Sequence, residues 1–189
     1  MIPLVVKDGN EAPYLSAREA LALYSTFTEH GVDCWVMGGW GVDALLGDES
    51  RPHHDLDVLV ARKDLGLFLD LLTDLGFSEK LVWGESLVID VDGVSRPTAF
   101  VQVDGDGREV DVHVIEEVPG GAPIAVCDEP WEFDEASLAA VGVIEGGQVR
   151  CVSAKTQLQM HTGYDLPQAH QHDAERLARF LANQAGPAA

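Results

Sequence analysis

The chain has 189 residues, with 32 Asp and Glu against 12 Lys and Arg, a formal net charge of −20, and 46% apolar residues. That length suits one domain, or one domain with a small appendage, and the apolar share supplies a core, which excludes global disorder. A surface so acidic serves solubility, repels nucleic acid and anionic lipid, and attracts cations, whether metal ions or polyamine-like small molecules.

Met1 to Asn10 lacks the basic start, apolar run and cleavage site of a signal peptide, and Met1 to Leu15 reads as a loose lead-in. Ser16-Ala-Arg-Glu19 forms a capping box, and Ala20, Leu23, Tyr24 and Phe27 recur at helical spacing before a stop at Gly31. A first helix is therefore expected over Ala17 to His30. Asp33 to Met37 is an expected buried strand entering Gly38-Gly39, and Trp40 to Leu46 an expected short helix closed by Gly47. Asp55 to Ala61 (DLDVLVA) predicts a second strand, and Lys63 to Leu75 an amphipathic helix closed by Gly76. Further strands are expected at Ser78 to Val82, Ser86 to Asp90 and Thr98 to Val103, and Asp104-Gly-Asp-Gly107 turns the chain back into Glu109 to Ile115. A second hairpin joins Val141 to Ile144 with Gln148 to Val152 through Glu145-Gly-Gly147. Ser153 starts a helix running to about Gly163, Pro167 breaks the path, and Ala169 to Asn183 is the last expected helix. The pattern predicts an α/β (α+β) domain over residues 1–152, with a mixed sheet flanked by helices, a C-terminal helical segment over 153–184 packed on it, and a frayed tail at 185–189. No apolar run approaches the roughly 18 residues of a membrane span. Cys34, Cys127 and Cys151 are odd in number and irregularly spaced, as expected for reduced thiols in a cytoplasmic protein.

The chemistry-bearing segment is Gly38-Gly-Trp-Gly-Val-Asp-Ala-Leu-Leu-Gly47 followed by Arg51-Pro-His-His-Asp-Leu-Asp57. Asp55 and Asp57 stand two apart on a strand, so both carboxylates project from one face. Such like charges are costly unless a cation neutralises them, and hard oxygen ligands suit Mg²⁺, which binds through one or two carboxylates plus substrate phosphates. A third carboxylate would help hold two metal ions. Asp111, in Glu109-Val-Asp-Val-His-Val114, supplies it from the centre of a valine strand, and Glu109, with the same orientation, is the rival. Asp111 is preferred because Glu109 adjoins the turn, which is expected to be exposed. Gly38 and Gly39, between a strand and a helix, let the backbone approach a phosphate, and a helix start offers free amides. Gly39-Trp-Gly-Val-Asp-Ala44 also fits a dinucleotide fingerprint, but the acid expected at the end of the next strand is replaced by Ala61-Arg62-Lys63.

Gly38-Gly-Trp-Gly-Val-Asp-Ala with Arg51-x-His-x-Asp-x-Asp57 resembles the antibiotic nucleotidyltransferases of the polymerase-β-like superfamily, in particular the aminoglycoside 2″-nucleotidyltransferases and the small lincosamide nucleotidyltransferases. Gly146-x-x-Val-Arg-Cys151-x-Ser153 resembles that group's hairpin-to-helix junction, and Gln159-Met-His-Thr-Gly-Tyr164 resembles the lincosamide branch. The resemblance covers about residues 20–180, with Leu81 to Val103 poorly matched. It implies the nucleotidyltransferase fold, with Gly38 and Gly39 holding a triphosphate and Asp55 and Asp57 ligating Mg²⁺. Asp111 would share the metal or act as base on the acceptor hydroxyl. Arg51 stands where the group has an arginine and would meet a phosphate; Lys155, opening the C-terminal helices, would reach a phosphate or lie on the surface. His53 matches the group's histidine, whereas His54 replaces an Asp or Asn. The implied reaction is Mg²⁺-dependent transfer of a nucleoside monophosphate, AMP from ATP or that of another nucleoside triphosphate, to a hydroxyl of a small cationic antibiotic. The alternative is a regulatory or antitoxin-like domain that binds or modifies a protein.

Several other residues have two readings each. Trp35 and Trp40 flank the glycine turn as core or as stacking platforms. Trp83 and Glu85 lie in the divergent middle, where an acceptor pocket could form. His161 and Tyr164 share a helix face as core or pocket lining. His170, His172 and Asp173 have metal-ligand chemistry but no supporting Cys/His array, which favours a solvated helix start.

Overall fold

A computed structural model describes residues 13–118, 122–130, 132–162 and 165–184. Helix α1 spans Ala17–Glu29, held at its start by the reciprocal Ser16–Glu19 capping box, and buries Ala20, Leu23, Tyr24 and Phe27. Strand β1 (Cys34–Met37) leads without a loop into helix α2 (Gly38–Leu46), closed by Gly47 in the left-handed conformation. Strand β2 (Asp55–Ala61) is followed by a 3₁₀ turn at Arg62–Asp64 and helix α3 (Leu65–Asp74). Then come β3 (Ser78–Val82), β4 (Val88–Val91), β5 (Val94–Pro97), β6 (Ala99–Val103), β7 (Glu109–Glu116) and the two-residue β8 (Ile124–Ala125). Short helix α4 (Glu135–Leu138), hairpin strands β9 (Ala140–Ile144) and β10 (Gly147–Cys151), and helices α5 (Ala154–Met160) and α6 (Gln168–Gln184) complete the chain.

The main sheet has eight strands in the order β3-β6-β7-β2-β1-β10-β9, with β8 on the remaining length of β7. It is mixed, as expected: β2 runs parallel to β7 and β1 to β10, while the other pairs are antiparallel. Alternation divides its residues. Val58 and Val60 of β2 and Val110, Val112 and Val114 of β7 join Phe27 and Phe68 in the main core under α1 and α3. The opposite face carries a smaller cluster with Met37, Leu59, Ile115 and Phe133. Along β2 and β7 that second face starts with acids instead of apolar residues, and this is where the site lies. A third cluster, with Val42, Ala154 and Leu177, seats α5 and α6 against α2.

Three expectations change. The second helix begins at Gly38 rather than Trp40, because Gly38 takes φ +60° and turns the chain directly from strand into helix. The strand expected at Ser86 to Asp90 lies at Val88–Val91 and pairs with the unforeseen β5 over Asp92-Gly93, in a two-stranded ribbon outside the main sheet. Residues 62–64 are 3₁₀, so α3 starts two residues later than expected. Residues 1–12 of the lead-in, Gly163, Tyr164 and the tail at 185–189 lie outside the described residues. No described helix is long and apolar enough to cross a membrane. Cys34 and Cys151 are buried free thiols whose pKa values burial pushes up to about 12.

Candidate active site

Parallel pairing of β2 with β7 sets Asp55 opposite Glu109 and Asp57 opposite Asp111, while Met37 at the end of β1 pairs with Asp57 from the other side. All four acids project from the face of the sheet that carries Leu59 and Ile115. Asp55 and Asp57 are half-buried, and Glu109 and Asp111 are buried. Glu109 is therefore not at an exposed turn, as the sequence suggested; its Oε1 lies 2.5 Å from the Lys80 ammonium of β3. Asp111 is held differently. Its Oδ1 accepts the Trp83 indole N–H at 2.9 Å and lies 3.5 Å from His113 Nε2. Desolvation keeps His113 below the ordinary imidazole range, although about a third of its side chain (32%) still meets solvent. Among the described residues, no three His, Cys, Asp or Glu side chains converge into a ready-made metal cage. The donor set is one of neighbouring carboxylates.

The glycines are fitted to this face. A Cβ on Gly38 would overlap the Asp57 carboxylate, and one on Gly39 would overlap the His53 ring and lie 2.6 Å from the Arg51 guanidinium. The start of α2 is thus pressed against the second aspartate and the segment before it, a fit that only missing side chains permit.

Arg51 does not stand free beside the glycines. Its Nε and NH2 donate to the two oxygens of Asp173 in α6 at 3.2 and 2.6 Å. Asp173 is 1% exposed, so the expected solvated helix start is incorrect: the first turns of α6 are docked on the site. Burial works against the Arg51 charge, but hydrogen bonding and charge from Asp173 outweigh it and raise its pKa. His170 lies in the same place. Its ring meets His161 edge-on with centroids 5.4 Å apart, and burial first, then the charge of His161, lowers its pKa, against opposing effects from Asp173 and Asp55. Tyr164, paired with His161 in the sequence reading, is outside the described residues.

A second network locks α2 in place, and the sequence reading missed it. Asp43, buried in α2, accepts from Ser50 N and Oγ at 3.0 and 2.9 Å, lies 2.6 Å from His53 Nε2, and is bound by Arg176 of α6. Burial favours the protonated acid, but the hydrogen bonds from His53, Ser50 and Arg176 prevail and hold its carboxyl below the usual range. His53 also packs on the Trp40 ring at 4.5 Å, so both residues serve the core. His54 points elsewhere, stacking on Tyr14 and lying 3.2 Å from the Pro13 carbonyl. Trp35 donates to the Leu138 carbonyl and carries Arg150 over its ring. Lys155 is exposed on α5, in a groove of about 630 Å³ with Asp134 and Phe180 that includes none of the four acids. An Asp within the apolar stretch Trp40 to Leu46 was a visible sign of a buried partner. Arg176, 133 residues away in the chain, was beyond any local pattern.

Residues 19–177 match the aminoglycoside-2″-adenylyltransferase family. The chain belongs to that family. As an aminoglycoside-2″-adenylyltransferase family member it is a nucleotidyltransferase, as the glycine and D-x-D motifs implied. A lincosamide resistance protein of Staphylococcus haemolyticus is 24% identical over 163 residues, 86% of this chain and 94% of that protein. A 2″-aminoglycoside nucleotidyltransferase of Klebsiella pneumoniae is 30% identical over 132 residues, 66% of this chain but 60% of the longer relative. Among solved structures, the lincomycin-bound lincosamide adenylyltransferase LnuA aligns with a TM-score of 0.74 at 23% identity, covering 88% of this chain and 98% of that one. The aminoglycoside enzyme ANT(2″)-Ia in complex with adenylyl-2″-tobramycin aligns at 0.62 and 21% identity, covering 89% and 91%. These likenesses establish the nucleotidyltransferase fold for this member of the family.

Proposed function

We propose that the protein transfers AMP from ATP to a hydroxyl of a small amine-bearing antibiotic, of the aminoglycoside or lincosamide class, and releases pyrophosphate. The observation that carries this reading is the β2–β7 register, which sets Asp55, Asp57 and Asp111 side by side next to the Gly38 turn. Family membership supplies the reaction class; the register supplies residues able to perform it. The donor set suits Mg²⁺: hard carboxylate oxygens, fewer than a full coordination shell, so that phosphate oxygens would supply the rest. Asp55, Asp57 and Asp111 would hold it, as one ion or as a pair. When bound, it stabilises the charge on the attacking and leaving oxygens of an in-line displacement.

In that reaction the acceptor oxygen bonds to the α-phosphorus as the bond from that phosphorus to the bridging oxygen of pyrophosphate breaks. Asp111 would take the acceptor's proton, a role supported by its hydrogen bond from the Trp83 indole N–H, which orients the carboxylate. Glu109 is less suited to that task because Lys80 already pairs with it. Gly38 and Gly39 let the α2 backbone approach the triphosphate. Arg51 lies over Gly39, aligned by its fork on Asp173, where a guanidinium can meet phosphate oxygen. Lys155, exposed and away from the acids, is the weakest phosphate contact among the sequence candidates. The test is incubation with ATP, Mg²⁺, tobramycin and lincomycin, followed by mass spectrometry. A single added adenylyl group on either antibiotic, lost when Mg²⁺ is chelated, is expected. Unmodified antibiotics beside a captured or adenylylated protein would instead support the antitoxin-like alternative.

A further inference from the structure

Glu85 lies in the loop between β3 and β4, two positions after Trp83, whose indole N–H is bonded to Asp111 of β7. Its Oε2 is shut away from solvent and has no hydrogen-bond partner among the described residues. The loop that carries it is fastened at three points. The Glu85 carbonyl accepts from Asp128 N at 3.1 Å, Ser86 bridges to Cys127, and the Trp83 indole is bonded to Asp111. Glu85 lies close enough to His113 for its charge to act on that ring, and His113 is the residue next after Asp111 on the same face of β7. His113 Nε2 in turn lies 3.5 Å from Asp111 Oδ1, so the Glu85 and Asp111 carboxylates both act on this one ring.

A buried acceptor oxygen with no donor is costly, and more so when it is charged. An ammonium group meets the need: it brings three donors and the opposite charge, and charge-assisted bonds of this type are about twice as strong as neutral ones. We propose that Glu85 is the subsite for an ammonium group of the acceptor, so that an amino sugar or similar amine is held with its reacting hydroxyl at Asp111 and its amine at Glu85. This rests on the nucleotidyl-transfer reading above and adds a specificity-determining residue to it.

The test compares wild-type protein with Glu85→Gln and Glu85→Asp, at saturating ATP and Mg²⁺, using tobramycin and its fully N-acetylated derivative as acceptors. Glu85→Gln should raise the tobramycin KM by about 10-fold or more, with a larger effect on KM than on kcat and none on the KM for ATP. Acetylating the amines should raise KM at the wild-type protein and add little at Glu85→Gln. Glu85→Asp, which keeps the charge, should fall between the two and carries the comparison if the Gln variant melts early. An unchanged tobramycin KM in Glu85→Gln, or an equal penalty for acetylation in both proteins, overturns the Glu85 subsite and leaves the transferase reading standing. Failure of the wild-type protein to adenylylate any amine-bearing acceptor overturns both.

Discussion

Asp57 touches more of the proposed chemistry than any other side chain, since it lies between Asp111 across the sheet and Gly38 at the start of α2. Replacing it with Asn keeps the shape and removes one of several like charges, so Asp57→Asn should abolish transfer while leaving the melting temperature unchanged or slightly higher. Turnover near the wild-type level would remove Asp57 from the mechanism. On β7 the two acids should differ. Asp111→Asn is expected to lower turnover by ~10²-fold or more, the usual loss for a proton-transfer group. Glu109→Gln loses the ion pair with the partly exposed Lys80 and should cost little activity; the opposite ranking would assign the role to Glu109. The shared face of Asp55, Asp57 and Asp111 was legible from their spacing, because strand alternation is a local rule. The better reason for setting Glu109 aside, an ammonium from β3, was not, because which lysine reaches it depends on the sheet order.

Helix α6 is joined to α2 and the segment before β2 by two acid–base contacts with buried carboxylates, Arg51–Asp173 and Arg176–Asp43. Removing Asp43 takes the shared acceptor from Ser50 and His53 and leaves Arg176 its ion pair with the exposed Asp48. Asp43→Ala should therefore destabilise the protein by about 3 kcal/mol, measured by denaturant unfolding. The contact also has a pH signature. The Asp43 carboxyl is lowered in the folded state, so its contribution is present above the ordinary carboxylate range and is lost as pH falls through its lower folded value. Wild-type protein should lose stability on acidification below that range, and Asp43→Ala should lose less. Asp173→Asn should raise the KM for ATP through a misplaced Arg51, whereas a purely structural role would lower stability with the KM for ATP unchanged. Local signals predicted most elements well: the capping box and the Gly47 stop stand where expected, and the second hairpin forms with a shorter turn, Glu145-Gly146, because Gly147 already pairs with Ile144. The β4–β5 ribbon was missed although a local signal for it exists, Asp92-Gly93 between valine runs. Docking of α6 was not legible, because its polar first turn looks solvated until Arg51, 122 residues earlier, is seen to reach it.

A net charge of −20 on so small a chain gives it a long-range attraction for cations and would make binding of the proposed nucleotide, itself an anion, depend on local neutralisation. A cationic acceptor should then bind more weakly as salt rises, since screening shortens to about 8 Å near 0.15 M, while a neutral acceptor should change little at saturating nucleotide. The chain spans 94% of the lincosamide resistance protein but 60% of the longer aminoglycoside relative, so the two acceptor classes must be compared directly. The most direct measurement is the product mass after reaction of wild-type and Asp57→Asn protein with ATP, Mg²⁺ and each antibiotic in turn. One adenylyl group on an antibiotic hydroxyl with the wild-type protein, and none with Asp57→Asn, is the expected result. Antibiotics left unmodified by active, folded protein, or modified equally by the Asp57→Asn variant, would contradict it.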